Sequence, residues 1–494
     1  MTAVPDLRLG LANEAPVNED GRLVLYWMTA ARRVTWNFGL DRAVGWAKRL
    51  GLPLVILETL PAGRRWDSDR LHRFALDGMA DTARRAGGRA VAYYPYVERK
   101  RNDGEGLIAA LGRLAAVVVT DRFPCFIWPE AVERTGARLR VRLEQVDSNG
   151  LLPLLAADRA FKTASSFRRF LHRNLPEHLA SPPAGAPLAR LHLPVLQGLP
   201  REITRRWPKA SAGLLAGRAE ALARLGIDHG VGPGVARGGT TAAVRTLRRF
   251  LKGRLARYDR GHSHPDDEAT SDLSPYLAFG HLSVHQVLAE LMAGEGWSPE
   301  ALAPSPTGKR EGWWGVEANA EAFLDELVTW RELGYNLCDR RDDYDRYASL
   351  PSWVRATLAE HAGDERPYLY SRAEFEEART HDALWNAAQR QLVCEGRLHN
   401  YMRMLWGKKI LEWSASPEDA LETMIDLNNR YALDGRNPNS YTGIFWVLGR
   451  YDRAWGPERP VFGKIRYMSS VSANRKLRLT LYLKRYAPRE EAER

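Results

Sequence analysis

Cysteine is scarce in this chain. Cys125, Cys338 and Cys394 are the only three among 494 residues, set far apart with no CxxC pair and no Cys/His ligand spacing. That argues against a disulfide framework or a zinc site, so no metal is expected and the reducing cytoplasm is the default compartment. Long apolar runs are missing too: none approaches the roughly 20 residues of a membrane span. The opening "MTAVPDLRLGLANEAP" lacks the basic-then-apolar pattern of a signal peptide. A soluble protein without a membrane partner is expected. Neither GxGxxG after the first strand nor a Walker loop occurs, so no nucleotide fingerprint marks the N-terminal half.

What is present is 45% hydrophobic and 27% charged residues, the composition of a globular chain long enough for two or three domains. The net charge of +12 suggests an anionic partner, because clustered Lys and Arg release counterions when they neutralise phosphates. Sixteen tryptophans supply rigid rings, for a core or for stacking on bases and flavins.

Residues 1–20 read as a flexible polar leader. From 21 to 155, "RLVLYWM", "LPLVILETL", "AVAYYPY", "LAAVVVTD" and "RVRLEQVD" read as strands between amphipathic stretches such as 38–50 and 69–86. This alternation predicts an α/β, Rossmann-like N-terminal domain with a parallel sheet. Residues 156–240 read as a connector, with Gly230, Gly232, Gly234, Gly238 and Gly239 a flexible run rather than a phosphate loop, since no strand precedes them. From 241 to 488 a period near 3.6 predicts a large all-α C-terminal domain.

Within that helical part, "TSDLSPYLAFGHLS" clusters Thr270, Ser271 and Ser274 at the start of a helical pattern, either as an anion site free of cations or as a plain cap. Tyr258 stands just upstream. In "FLDELVTWRELGYN", Glu326 and Trp330 are four apart with Arg331 one step round. That is half of a pocket with a flat wall and one acid, or an amphipathic helix with a charged rim. "LNNRYALDGRNPNSYTGIFW" reads as loop-like, its Asn428, Asn429, Asp434 and Asn439 able to bond a heterocycle's edge or to make turns, with Arg403 a partner for Asp434. The tail "RYDRAWGPERPVFGKIRYMSS" interleaves Arg450, Arg453, Arg459, Lys464 and Arg466 with Trp455, Phe462 and Tyr467, charge for phosphates and rings for exposed bases. In "MRMLWGKKILEW", Trp406 and Trp413 are two helical turns apart, about 10.5 Å of rise. They form either a core stripe or a path of oxidisable rings.

Taken in order, "YWM", "QVD", "TSDLSPYLAFGHLS", "ELVTWREL", "THDALWNAAQ", "MRMLWGKKILEW", "LNNRYALDGRNPN" and "FGKIRYM" resemble the class II cyclobutane pyrimidine dimer photolyases of the photolyase/cryptochrome superfamily, over residues 24 to about 486. The resemblance implies a light-driven DNA-repair enzyme that holds FAD in its helical domain, and a monomer is expected, because one lesion needs one pocket. There photoexcited reduced flavin passes an electron to a pyrimidine dimer flipped out of UV-damaged DNA, the ring splits and the electron returns. It implies Tyr258, Thr270, Ser271, Leu273, Ser274, Arg331 and Asn400 as FAD contacts, with Arg403 and Asp434 an ion pair beside the isoalloxazine and Asn428 at flavin N5. Glu326 is then the acid on the dimer, Trp330 and Trp446 the pocket walls with Met404 near them, and Arg453, Trp455 and Arg466 the DNA contacts. Electrons would reach oxidised flavin from the surface through Trp413, outermost, then Trp385, then Trp406. This chain has Leu405 where the family usually has an aromatic, and its "MTAARRVTWN" departs from the usual acidic, glutamine-bearing loop. The resemblance leaves room for a deazaflavin-type antenna.

Overall fold

The computed structural model describes residues 4–488. They divide into two compact units. The first takes the described residues of Met1–Asp158 with Asn174–Leu247 and Leu273–Pro299; the second takes Arg159–Arg173, Arg248–Asp272 and the described residues of Glu300–Arg494. The expected boundaries at 155 and 240 are thereby corrected. Most of the expected connector, with 241–247 and 273–299 of the expected helical domain, belongs to the sheet unit, whereas 159–173 and 248–272 belong to the helical one. Short segments carry too few apolar positions for a local period to show which body they pack on.

The strands of the first unit are β1 (Leu9–Leu11), β2 (Leu23–Met28), β3 (Leu54–Leu60), β4 (Ala92–Val97), β5 (Ala115–Asp121) and β6 (Leu143–Val146), in the spatial order β1-β6-β5-β2-β3-β4. The five strands read from the sequence pair in parallel. β1 adds an antiparallel edge, Leu9 opposite Val146, and arises from the segment expected to be a flexible leader. Buried Arg8, just before it, donates to the carbonyl oxygens of Gly150 and Leu151 at 3.1 and 2.6 Å. Residues 1–3 of that leader lie outside the described residues. Three residues are too few to display strand alternation, so the edge strand was hidden by its polar surroundings.

Val24, Tyr26 and Met28 of β2 enter one core with the helix Phe38–Leu50, and Leu23, Leu25 and Trp27 enter another with Leu107 and Leu111. Burial on both faces explains why this strand reads as an unbroken apolar run. The helix Phe38–Leu50 begins where the Asn37 side chain accepts the Leu40 N–H at 3.1 Å and ends at Gly51, whose φ of 66° is left-handed.

In the second unit, the helices Arg331–Arg340, Ala383–Glu395, Asn400–Trp413, Pro417–Tyr431 and Pro438–Val447 bury Trp385, Trp406 and Phe445. Two glycines set how closely they approach. A Cβ on Gly334 would lie 2.6 Å from Thr442 Oγ1 and 2.8 Å from the Pro438 carbonyl oxygen, and one on Gly407 would lie 2.8 Å from Val447 Cγ2. Helix Pro438–Val447 is thus seated against two neighbours at a distance only glycine permits.

Candidate active site

Asp325–Trp330 is a π turn between the helices Ala318–Leu324 and Arg331–Arg340. The regular helical face expected for Glu326 and Trp330 is therefore corrected: i→i+5 pairing widens the turn, a feature that recurs at functional sites. Asp325, Leu327, Val328 and Thr329 are buried, while Glu326 and Trp330 keep partial exposure. Asp325 anchors the turn by accepting both arms of Arg168, at 2.8 and 3.0 Å, with Arg310 at 3.3 Å. The Glu326 carboxyl makes no hydrogen bond or ion pair among the described residues. Burial, then the adjacent Asp325 charge, push its pKa up to about 7 against the pull of Arg310 and Arg168.

Trp446 lies near the end of the helix Pro438–Val447. The Trp330 and Trp446 ring centroids are 6.4 Å apart with planes at 66°, so the two indoles make a corner rather than parallel walls. Below the end of that helix, buried Lys408 donates to the Val447 carbonyl oxygen at 2.5 Å. Burial lowers the Lys408 pKa to about 7, with Asp452 opposing the shift.

Arg403 Nη2 donates to both Asp434 carboxylate oxygens, at 3.0 and 3.1 Å, and its Nη1 to Asn428 Oδ1 at 3.1 Å. Asn428 Nδ2 in turn donates to Ser440 Oγ at 2.6 Å. These partners hold the Asn428 amide in one orientation. Met404 follows Arg403 on the helix Asn400–Trp413 and is half-buried. The loop-like reading of 428–446 is corrected: Asn428 and Asn429 close the helix Pro417–Tyr431, Asn439 and Trp446 lie in the next helix, and only 432–437, with Asp434, is non-helical. Tertiary bonds such as Asn429 Nδ2 to Tyr441 OH, 3.2 Å, occupy side chains that otherwise compete with helix.

Tyr258 is buried in an aromatic nest of Phe250, His262 and Phe323. Burial first, then the Glu326 and Asp325 charges, raise its pKa, so the phenol stays protonated. The hydroxyl run straddles the unit boundary, with Thr270 and Ser271 in the helical unit and Leu273 and Ser274 in the sheet unit. Leu273, not a hydroxyl residue, sits at the N-cap of Ser274–Ala278, and no side chain caps it. The plain-cap reading is corrected accordingly. Arg331 is buried, donating through Nη2 to Tyr335 OH at 3.1 Å, while its Nη1 has no hydrogen-bond partner. Asn400 is exposed at the start of its helix, and both ring nitrogens of the preceding His399 are buried without a hydrogen bond. Burial lowers the His399 pKa to about 4, so it is neutral near pH 7. These orphaned donors fit a polar cofactor in the helical unit: a buried polar group is rarely left unsatisfied unless a ligand or water completes it.

Trp385, Trp406 and Trp413 come together. Trp385 and Trp413 have ring centroids 6.1 Å apart, and the Trp385 indole N–H bonds the Trp406 carbonyl oxygen at 3.0 Å. The surface position expected of Trp413 is corrected: only 3% of it is exposed, with Tyr370 and His381 packed on it at 5.7 and 4.9 Å. A residue two turns along a helix has the same local signature whether or not another segment covers it.

In the tail, the guanidiniums of Arg453 and Arg466 lie 4.7 and 5.2 Å from the Trp455 ring centroid. Arg453 is exposed. Arg450 is withdrawn from the expected basic face, being buried and bonded to the Ser349 carbonyl oxygen and hydroxyl.

At the strand ends of the sheet, where open α/β sheets bind ligands, the chain bonds to itself. Asp121 Oδ2 accepts the N–H groups of Thr29, Ala30 and Ala31 at 2.9, 2.8 and 2.9 Å, and the buried Arg32 and Arg33 donate to the carbonyl oxygens of Thr59 and Gly280 at 3.1 and 2.9 Å.

No protein-family model matches the chain. It is 33% identical over 467 residues to the deoxyribodipyrimidine photo-lyase of Methanothermobacter thermautotrophicus, covering 94% of each chain. It is 33% identical to that of Oryza sativa, covering 94% of this chain and 87% of the relative, and 30% identical to that of Potorous tridactylus, covering 97% and 84%. Among solved structures it is similar in fold to a bacterial class III photolyase from Agrobacterium tumefaciens, with a TM-score of 0.63, 17% identity and coverage of 94% and 86%. A Synechocystis cryptochrome gives a TM-score of 0.65 at 14% identity, covering 99% and 90%.

Proposed function

The chain belongs to the deoxyribodipyrimidine photo-lyases, and from that premise we propose that it is a class II enzyme using light to split cyclobutane pyrimidine dimers flipped out of UV-damaged DNA. When bound and reduced, FAD supplies the photoexcited electron donor. Everything else falls to this chain's side chains. In the helical unit, Tyr258, Thr270, Ser271, Arg331 and Asn400 hold the cofactor, and the Arg403–Asp434 pair with Asn428 borders its reactive ring. A neutral amide fixed by Arg403 and Ser440 offers hydrogen bonding without serving as an acid.

The observation that carries the reading is the corner of Trp330 and Trp446 with the unpartnered Glu326 one turn away. Two flat faces inclined to each other receive two linked pyrimidine rings. A base must leave the stack to reach them, and a damaged pair costs less to open than an intact one. Glu326, protonated below about pH 7, donates to a dimer carbonyl, and that bond strengthens as the oxygen gains charge, which favours the transition state over the ground state. Arg453, Trp455 and Arg466 contact the DNA around the lesion, Trp413, Trp385 and Trp406 relay electrons that keep the cofactor reduced, and one lesion per pocket suits a monomer.

The test is repair of a dimer-containing oligonucleotide by anaerobically photoreduced protein. Dimers are expected to disappear under light and persist in the dark. No light-dependent loss with reduced FAD present overturns the proposal.

A further inference from the structure

The hydroxyl run that reads as an anion site free of cations is ringed by two arginines. Asp272, in the middle of that run, has a left-handed φ of 57°, which a non-glycine residue rarely adopts without outside support. Arg254, last residue of the π turn Phe250–Arg254, donates through Nη1 to Asp272 Oδ2 at 2.5 Å and to the Thr270 carbonyl oxygen at 3.0 Å. Arg397, in the turn after the helix Ala383–Glu395, donates through Nη1 to Asp272 Oδ1 at 2.7 Å. Thr270 Oγ1 donates to the same Oδ1 at 3.3 Å.

Two guanidiniums reach the single Asp272 carboxylate. Arg397 Nε also bonds Glu395 at 2.8 Å, and Glu395 shares Arg485 with Glu268, at 2.7 and 3.5 Å. Nη2 of both arginines and Nε of Arg254 have no acceptor among the described residues. Guanidinium forks suit phosphate oxygens, and a carboxylate that ties one arm of each leaves the other arms pre-aimed at small entropic cost.

We propose that Asp272 sets Arg254 and Arg397 as a two-arginine clip for the diphosphate of the bound dinucleotide, beside the Thr270 and Ser271 hydroxyls. The clip rests on the reading that the helical unit holds FAD. Arg254 and Arg397 are binding residues; Asp272 is a positioning residue that acts through them.

Full-length protein stripped of flavin is titrated with FAD and, separately, with riboflavin, which has no phosphate; quenching of flavin fluorescence reads each affinity. Wild type is expected to prefer FAD. Arg254→Met and Arg397→Met each weaken FAD about tenfold, the scale of one lost charge-assisted bond, and leave riboflavin affinity unchanged. Arg254→Lys recovers part of the loss, and the FAD affinity of both methionine variants depends less on salt than that of wild type. If wild type binds FAD but both variants stay within twofold of it, the clip is overturned while the FAD reading stands. If the variants lose affinity for DNA instead, with FAD unaffected, the arginines serve the nucleic-acid backbone and the clip is again overturned. If wild type binds neither flavin, the cofactor reading fails and takes the clip with it.

Discussion

Trp385 donates its indole N–H to the backbone carbonyl oxygen of Trp406 at 3.0 Å, binding one helix of the second unit to the next. The same Trp385 ring lies 6.1 Å from Trp413, so the gap of two turns along the helix Asn400–Trp413 is bridged by a ring from another segment. If these rings form a relay, removing an inner member stops photoreduction without touching the repair step. Trp406→Phe is expected to abolish light-driven reduction of oxidised FAD yet to repair dimers normally when reduced chemically; flash-induced flavin absorbance and an oligonucleotide assay read the two separately. Fast photoreduction in the variant returns the three tryptophans to a purely structural core.

Glu326 carries a pH dependence of definite sign. Its pKa is raised to about 7 in the folded chain against an ordinary 4.5, so the acid is the favoured form and its contribution to stability, full below about 4.5, is lost as pH rises through about 7. Repair by the reduced enzyme should fall as pH rises through about 7. Glu326→Gln keeps a neutral donor and flattens that limb of the profile, while Glu326→Ala lowers repair roughly tenfold or more and leaves FAD bound. An unaltered pH profile in the glutamine variant removes Glu326 from the mechanism.

Gly334 tests how the corner is built. A methyl there meets Thr442 Oγ1 and the Pro438 backbone at 2.6–2.8 Å, and backbone cannot step aside as a flexible side chain can. Gly334→Ala should cost about 1–3 kcal/mol in denaturant unfolding. It should also weaken dimer-DNA binding more than binding of undamaged DNA, because the displaced helix carries Trp446.

Lys408 gives a second pH signature, opposite in direction. Its pKa is lowered to about 7 from 10.5 by burial, so the unfolded chain binds the extra proton between those values and wild-type stability rises with pH across them. Lys408→Met removes that dependence. Melting temperatures should favour the variant most at pH 6 and progressively less by pH 9; a pH-independent difference shows that the ammonium is not desolvated.

Much of this was legible in the residues alone, for reasons of periodicity. β2 to β6 announced themselves because strands buried on one or both faces must be apolar at every or every other position. The helices bearing Trp385 and Trp406 did so by a period of 3.6, and Arg403 and Asp434 were paired by complementary charge. The three-residue β1 was not legible, nor were the helical states of Asn428 and Asn439: the Asn428 amide is satisfied by Ser440, 12 positions on, and Asn439 enters a helix capped by Asn437, whose Oδ1 accepts its N–H.

The order of the chemical groups along the chain, its cations and rings, and its strand and helix periods were properties of the sequence by itself. Tertiary structure alone decided which groups meet and in what state of charge. The π turn that re-aims Glu326 and Trp330 depends on Asp325 finding Arg168, 157 positions away; the burial of Trp413 depends on Tyr370 and His381; the arginines around Asp272 arrive from 18 and 125 residues off. Local pattern reports only what a residue needs from its neighbours in the chain. Desolvation, pKa and the matching of charges are set by neighbours in space.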